Sequence, residues 1–276
     1  ADMSFIEDVR WFTAAPVTDT PDGPAPQGRV TLVGAGPGDP ELLTLRAVKA
    51  LRGARLVLYD NLVGKEVLRY VAEDADLIYV GKEASRHTLP QESIIDLMVR
   101  LARSGRSLVR LKGGDGFIFG RGGEEVLALA EAGIAFEVVP GITAAQGAGA
   151  CAGIPLTHRD HAATLVFATG HLRGDNELAL DWEALARPRQ TVVIYMGVGN
   201  LPTICGELVR HGLPAQTPAA LVEQASLPGQ RCITGTLQDL PQLAQQHRVR
   251  APALIVVGEV VGLQPQLMRG MQAAVL

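Results

Sequence analysis

The chain has 276 residues, of which 47% are apolar and 20% charged, and its formal net charge is -4 at pH 7. That length allows two domains with separate cores, the composition suits a soluble globular protein, and the charge argues against nonspecific nucleic-acid binding. Aromatic residues are only 4% of the chain, so the core is aliphatic, and Cys151, Cys205 and Cys232 show no pair spacing, which suits buried thiols in a reducing cytoplasm better than disulfides or a zinc site.

Residues 13–28 are rich in Pro, Thr, Asp and Gly and predict a flexible N-terminal extension over 1–28. Asp2, Glu7 and Asp8 precede Arg10 without a long apolar core, a pattern unlike a secretory signal. Strand-like runs then recur at 30–34, 55–59, 77–81, 107–112 and 135–139, with helical patterns at 41–52, 65–72, 91–103 and 123–132. Alternating strands and helices predict an α/β domain over 29–140 with a parallel sheet, and the continuous apolar runs predict that both sheet faces are covered. A second α/β domain is predicted over 141–263, with strands at 164–169, 191–196, 219–223, 231–236 and 253–258 and helices at 200–211 and 237–247. The runs at 219–223 and 231–236 flank Pro228-Gly229 and form a hairpin in this reading, making the second sheet mixed. Residues 253–261 are apolar but short and broken by Glu259, so no membrane span is expected, and 264–276 remain a tail without assignment. A ligand cleft is expected between the two domains.

The densest chemistry lies in 109–125, VRLKGGDGFIFGRGGEE. The run reaches a corner at Gly113, Gly114 and Asp115, where glycine admits a ligand and the carboxylate accepts hydrogen bonds; a capped turn is the simpler reading. Arg121 and Glu124 share a face if helical, as site residues or as an exposed ion pair worth about 0.2–0.5 kcal/mol. Upstream, Gly34-Ala35-Gly36-Pro37-Gly38-Asp39-Pro40 is either the phosphate turn of a dinucleotide site, with Asp60 on the ribose, or a tight turn capped by Asp39. The glycine spacing and the missing amide of Pro37 weigh against the first. Asp60 and Lys82 each follow a strand at the sheet's carboxyl edge, as proton-handling groups or as a cap and a solvated lysine. Thr143 and Ala144 open a run of small residues that suits tight helix packing and a flat ligand wall. His158 and His161 lack a third ligand at a recognisable spacing, so no metal is expected, and Arg159 between them suits carboxylate binding. Met196 ends a strand, either as core or as packing for an adenine or thioether.

Taken in this order, the segments 33–40, 59–60, 80–82, 110–125, 139–145, 153–160, 169–171, 195–197 and 252–261 resemble the uroporphyrinogen-III C-methyltransferases, a family of S-adenosylmethionine-dependent tetrapyrrole methylases. The resemblance implies two α/β domains with the cofactor between them, a homodimer, and methylation of two ring carbons of uroporphyrinogen III to precorrin-2, feeding sirohaem and cobalamin-type synthesis. It implies cofactor contacts at Pro37, Gly113, Gly114, Asp115, Ile118, Thr143, Ala144, Met196 and Ala225. It gives Asp60 and Lys82 the places of proton acceptor and donor, and ties Arg121, Glu124 and Arg159 to substrate binding and catalysis. Two positions depart from the family pattern: Gly116 where proline is usual, and Glu83 where arginine is frequent. The alternatives are a methylase of a later corrin precursor, a non-catalytic nucleoside- or tetrapyrrole-binding module, and a nicotinamide-linked oxidoreductase.

Overall fold

The computed structural model describes residues 26–81, 91–171 and 179–273. Most of the predicted N-terminal extension, together with Lys82 and Glu83, lies outside the described residues. The first sheet contains β1 (Val30–Gly34), β2 (Leu56–Tyr59), β3 (Asp76–Tyr79), β4 (Leu108–Lys112) and β5 (Phe136–Val139), all parallel, in the order β3-β2-β4-β1-β5. Helix α1 (Leu45–Gly53) covers one face, packing Ala47 and Leu51 on Val33, Val57, Leu111 and Val139. The other face is covered by α2 (Gln91–Arg103) and α3 (Gly122–Glu131), which pack Met98 and Leu129 on Leu56, Leu58 and Leu108. Burial on both faces explains the continuous apolar strands. The chain inserts β4 between β2 and β1, so the strand order reverses there, and the carboxyl ends of β1 and β4 stand where open α/β sheets take ligands.

Two predicted helices are shorter than expected. The run at 41–52 begins as a 3-10 turn, Pro40–Leu42, and restarts as α1 because the Thr44 hydroxyl accepts from the Ala47 amide and caps a new helix. The run at 65–72 forms only a 3-10 turn, Val67–Tyr70; its N-cap Glu66 makes no side-chain cap, it buries Val67 alone, and valine and tyrosine carry little helix propensity.

The second sheet follows α4 (Ala144–Ala152) and comprises β6 (Thr164–Thr169), β7 (Gln190–Tyr195), β8 (Pro218–Glu223), β9 (Arg231–Thr236) and β10 (Ala253–Val257), in the order β6-β7-β10-β8-β9. Only β6 and β7 pair in parallel, and β8 and β9 form the predicted hairpin, so the sheet is mixed. Helix α4 packs Ala145, Ala148 and Ala152 against Val193, Val222 and Val256 on one face. The opposite face is covered by α5 (Trp182–Leu185), α6 (Leu201–Arg210) and α7 (Leu240–Gln246). The predicted tail is a helix instead, α8 (Gln264–Ala273). The Gln264 side-chain amide donates to the Ala152 carbonyl at 3.2 Å, and the Met268 and Met271 sulfurs pack over Gly153, where a Cβ would meet them at 3.1 and 3.4 Å. A tertiary partner rather than local periodicity orders this segment.

Candidate functional site

The candidate site begins as a contact of backbone on backbone. Gly36 and Gly114 exchange amide-to-carbonyl bonds of 3.1 and 2.7 Å, joining the loops that leave β1 and β4. A Cβ on Gly34 would lie 2.6 Å from the Gly141 nitrogen, and one on Gly141 would lie 2.2 Å from the Gly114 carbonyl oxygen. No side chain fits in that stack, so glycine is required for the approach. Asp115 ties two of these segments: its Oδ1 accepts from the Gly141 amide at 2.9 Å, and its Oδ2 accepts from the Phe117 amide of its own loop at 3.0 Å. Each oxygen keeps a lone pair for a further donor.

The facing wall comes from the second sheet. A Cβ on Gly147 of α4 would meet the Pro37 ring at 2.7 Å, and the Asp39 amide donates to the Ser226 hydroxyl at 3.0 Å. A Cβ placed on Gly114 would lie 3.6 Å from the Ala144 nitrogen, so the glycine corner meets the start of α4. That start is held from β7: the Tyr195 hydroxyl accepts from the Ala145 amide at 3.2 Å and shares a 2.5 Å hydrogen bond with Thr143 Oγ1. Burial raises the Tyr195 phenol above its ordinary value, which keeps it protonated. The Phe119 ring lies 4.8 Å from the Tyr195 ring, and Ile118 packs with it on the second core. Replacing Tyr195 with Phe should strand the Ala145 amide and the Thr143 hydroxyl and cost about 1–3 kcal/mol. Urea unfolding measures that loss, and unchanged stability would remove the hydroxyl from the wall's support.

Backbone strain gathers here. Met196, Gln224, Ser226, Phe119 and Arg121 are non-glycine residues with φ of 54, 51, 67, 58 and 64°. Left-handed side-chain-bearing residues persist only where surrounding structure imposes them, and they concentrate at ligand clamps. The Met196 side chain is 52% exposed although apolar, and Ala225 sits between two of the strained residues. A thioether, a methyl group and the small residues at the start of α4 thus offer apolar surface beside a carboxylate. The turn after β1 is a poor pyrophosphate cradle: the amide of Ala35 donates to the Lys112 carbonyl, Gly36 to Gly114, Asp39 to Ser226, and Pro37 has none, which leaves the Gly38 amide alone for an anion. One remaining amide weighs against the nicotinamide reading, which needs several converging on the phosphates.

A buried polar wall lies beneath the corner. Glu125 of α3 is fully buried, and its Oε1 accepts from Arg110 Nε at 3.1 Å, Lys112 Nζ at 3.2 Å and the Gln91 side-chain amide at 3.2 Å. Arg110 Nη2 reaches toward Asp60 Oδ2 at 3.9 Å, while Asp60 Oδ1 accepts from the Leu62 amide at 2.9 Å in a local turn rather than a helix cap. Burial, then the Arg110 guanidinium, lowers the Lys112 amine below its ordinary value, and Glu125 opposes that shift. Arg121 pairs with Glu124 at 2.8 Å, both more than half exposed, at the first turn of α3. Arg159 stands apart from this group. It is exposed, and its carbonyl is held at 3.2 Å by Arg189, one residue before β7 and thus at the opposite end of that strand from Met196. The His158 and His161 rings lie 4.8 Å apart, and among the described residues no three His, Cys, Asp or Glu side chains gather as a metal site.

The sequence reading missed Arg110, Lys112, Glu125 and Tyr195. A signal for the first two was present: charged residues alternate within a strand otherwise apolar and central, where an unpaired charge is costly. Nothing local marks Tyr195, whose partners stand 50 and 52 residues away.

Residues 29–241 match the family described as Tetrapyrrole (Corrin/Porphyrin) Methylases. The chain belongs to the tetrapyrrole methylase family. Over 242 residues it is 56% identical to a siroheme synthase of Nitrosomonas europaea, covering 88% of this chain and 51% of that protein. A siroheme synthase of Gluconacetobacter diazotrophicus is 58% identical over 85% of this chain and 50% of its own length. The chain thus spans about half the length of the curated relatives it matches. Among solved structures, a uroporphyrin-III C-methyl transferase from Thermus thermophilus complexed with S-adenyl homocysteine superposes with a TM-score of 0.74 at 43% identity, over 86% of this chain and all of that one. A cobalt precorrin-4 methyltransferase superposes with a TM-score of 0.74 at 26% identity, over 84% of this chain and 95% of that one. The two-sheet α/β architecture of this tetrapyrrole methylase is therefore shared with its relatives.

Proposed function

We propose that this chain methylates two ring carbons of uroporphyrinogen III from S-adenosylmethionine, giving precorrin-2 for sirohaem or cobalamin-type synthesis. The observation that carries the reading is the bridged Gly36–Gly114 corner meeting the start of α4, with Asp115 on one side and the strained, exposed Met196 following Tyr195 on the other. A nucleoside sulfonium fits such a place. The apolar surface of Met196, Ala144, Ala225 and Ile118 suits a neutral ring, and the spare lone pairs of Asp115 suit a hydroxyl or an ammonium. Pro37, Gly113, Gly114 and Thr143 complete the lining we assign to the cofactor.

The cofactor supplies a methyl group on cationic sulfur to an electron-rich carbon. The protein's own part is chiefly orientation, holding the acceptor carbon in line with the bond that breaks. Arg121 grips a carboxylate arm of the macrocycle and offers fixed positive charge, since a guanidinium remains protonated; Glu124 holds its orientation. Arg159 binds an arm farther out on the ring. Asp60 takes up the proton released as the methylated carbon regains its double bond, and Lys82 is assigned the complementary donor. The division into units 29–140 and 141–263, a homodimer and a cytoplasmic site belong to the same reading. The free thiols of Cys151, Cys205 and Cys232 support a reducing compartment, and no described helix is long and apolar enough to cross a membrane.

Purified chain incubated with methyl-labelled S-adenosylmethionine and uroporphyrinogen III should yield a doubly methylated tetrapyrrole by mass analysis. A panel including later corrin precursors separates the main alternative, and binding of S-adenosylhomocysteine without transfer to any acceptor would replace catalysis with a binding role.

A further inference from the structure

The buried wall contains a group that the proposed reaction leaves without a task. Glu125 is 0% exposed and accepts three side-chain donors on one oxygen, while its Oε2 and the Nη1 of Arg110 have no hydrogen-bond partner. An incompletely satisfied charged network in a close-packed core is costly, and a plain apolar core is its stable alternative. Its elements explain its use. Arg110 and Lys112 belong to β4, which runs directly into Gly113-Gly114-Asp115. Glu125 belongs to α3, whose first turn carries Arg121 and Glu124. Gln91 opens α2, and Arg110 reaches on to Asp60. Two cations face one carboxylate within the network, and Asp60 is the fourth charge that brings the sum to zero.

We infer that Glu125 is a positioning residue for methyl transfer: from inside the core it fixes the start of α3 against the end of β4 and aims Arg110 at Asp60, setting the distance between the cofactor corner and the polar groups at the cleft. The loop between corner and helix follows this arrangement. A Cβ on Gly120 would lie 3.6 Å from Lys112 Cε, and one on Gly116 would meet Leu32 Cδ2 at 3.0 Å and Lys112 Cδ at 3.8 Å, so the loop rests on Leu32 and the stem of Lys112. A Cβ on Gly122 would fall 1.9 Å from the Gly116 carbonyl oxygen, so the loop closes on itself where α3 begins. A shift of the Glu125 carboxylate therefore moves Arg121 relative to Gly114 without touching either ligand. The inference rests on the methyltransferase reading above.

The decisive variant is Glu125→Asp in the full chain, which keeps the charge and withdraws it by one methylene. Expected is a fall in kcat of about tenfold to a hundredfold, in line with small misplacements of reacting groups. The KM for S-adenosylmethionine and the Kd for S-adenosylhomocysteine should stay within about twofold, since only interactions specific to the transition state are lost. A charge-balanced double variant, Lys112→Met with Glu125→Gln, separates positioning from folding. It should regain the melting temperature that Glu125→Gln alone loses, yet not the parent kcat. A parental kcat in Glu125→Asp or in the double variant overturns the inference, as does a loss of S-adenosylhomocysteine binding in proportion to kcat. If the parent chain itself transfers no methyl group, the functional reading fails instead, so the two failures are distinguishable.

Discussion

Replacing Arg121 with glycine should lower methyl transfer by about two orders of magnitude, within the 10²–10³ range for removing a fixed electrostatic group, while leaving the fold as stable as the parent or firmer. The two halves of this result come from different physics. Arg121 occupies the N-cap of α3 at φ 64° and ψ 21° and makes no side-chain cap hydrogen bond. That left-handed conformation costs a side-chain-bearing residue about 1–2 kcal/mol, whereas glycine adopts it without steric strain and loses about 0.5–1 kcal/mol of chain entropy. Against this stands the exposed pair with Glu124, worth about 0.2–0.5 kcal/mol. The backbone term is the larger, so stability is neutral or gained. A residue that strains its backbone and contributes so little locally fits the binding role proposed for Arg121. Thermal melting and steady-state kinetics on the same preparation test both halves. Retained activity would remove Arg121 from the proposed chemistry, and a sharp fall in melting temperature would show that its side chain supports the fold.

Changing Gly141 to Ala should disable the cofactor corner. The added methyl would sit 2.2 Å from the Gly114 carbonyl oxygen and 2.8 Å from the Gly34 carbonyl carbon and oxygen, all backbone atoms that cannot rotate away. The contact must open, which breaks the hydrogen bond that the Gly141 amide donates to Asp115 Oδ1 and displaces Gly114 from the start of α4. Overpacking of this kind costs about 1–3 kcal/mol. The Kd for S-adenosylhomocysteine should weaken by at least about tenfold, the equivalent of about 1.4 kcal/mol. Gly123→Ala is the matching control: nothing lies within 4 Å of its added Cβ, and the position is helical. It should gain about 0.5–1 kcal/mol and leave binding unchanged. Calorimetric titration of both variants decides, and parental affinity in Gly141→Ala would show that the ligand binds away from this corner.

The two α/β units, the covered faces of the first sheet and the β8–β9 hairpin were legible because each leaves a short-range trace. Continuous apolar runs mark doubly buried strands, and Pro228-Gly229 marks a reversal. The glycine corner was legible for the same reason, since Gly113-Gly114-Asp115 stands at a strand end. Helix α8 was not. Its methionines pack over Gly153, more than a hundred residues upstream, and its Gln264 side chain bonds the Ala152 carbonyl. The turn at Val67–Tyr70 shows the opposite error, a helical pattern with no cap to nucleate it.

By itself the sequence determined the strands of both sheets, their order along the chain and the residue types at their carboxyl ends, because propensity and periodicity act over a few residues. Only the tertiary structure decided which of those residues meet. It brought Gly34, Gly114 and Gly141 into one stack and set Tyr195 under the start of α4. It also buried Glu125 between Arg110 and Lys112 and anchored Arg159 at the far end of β7. The reason is physical: the partners of Tyr195 stand 50 and 52 residues away and the three stacked glycines come from separate strand ends, while the charges of Arg110, Lys112 and Glu125, though near in sequence, pair only because α3 packs back onto β4.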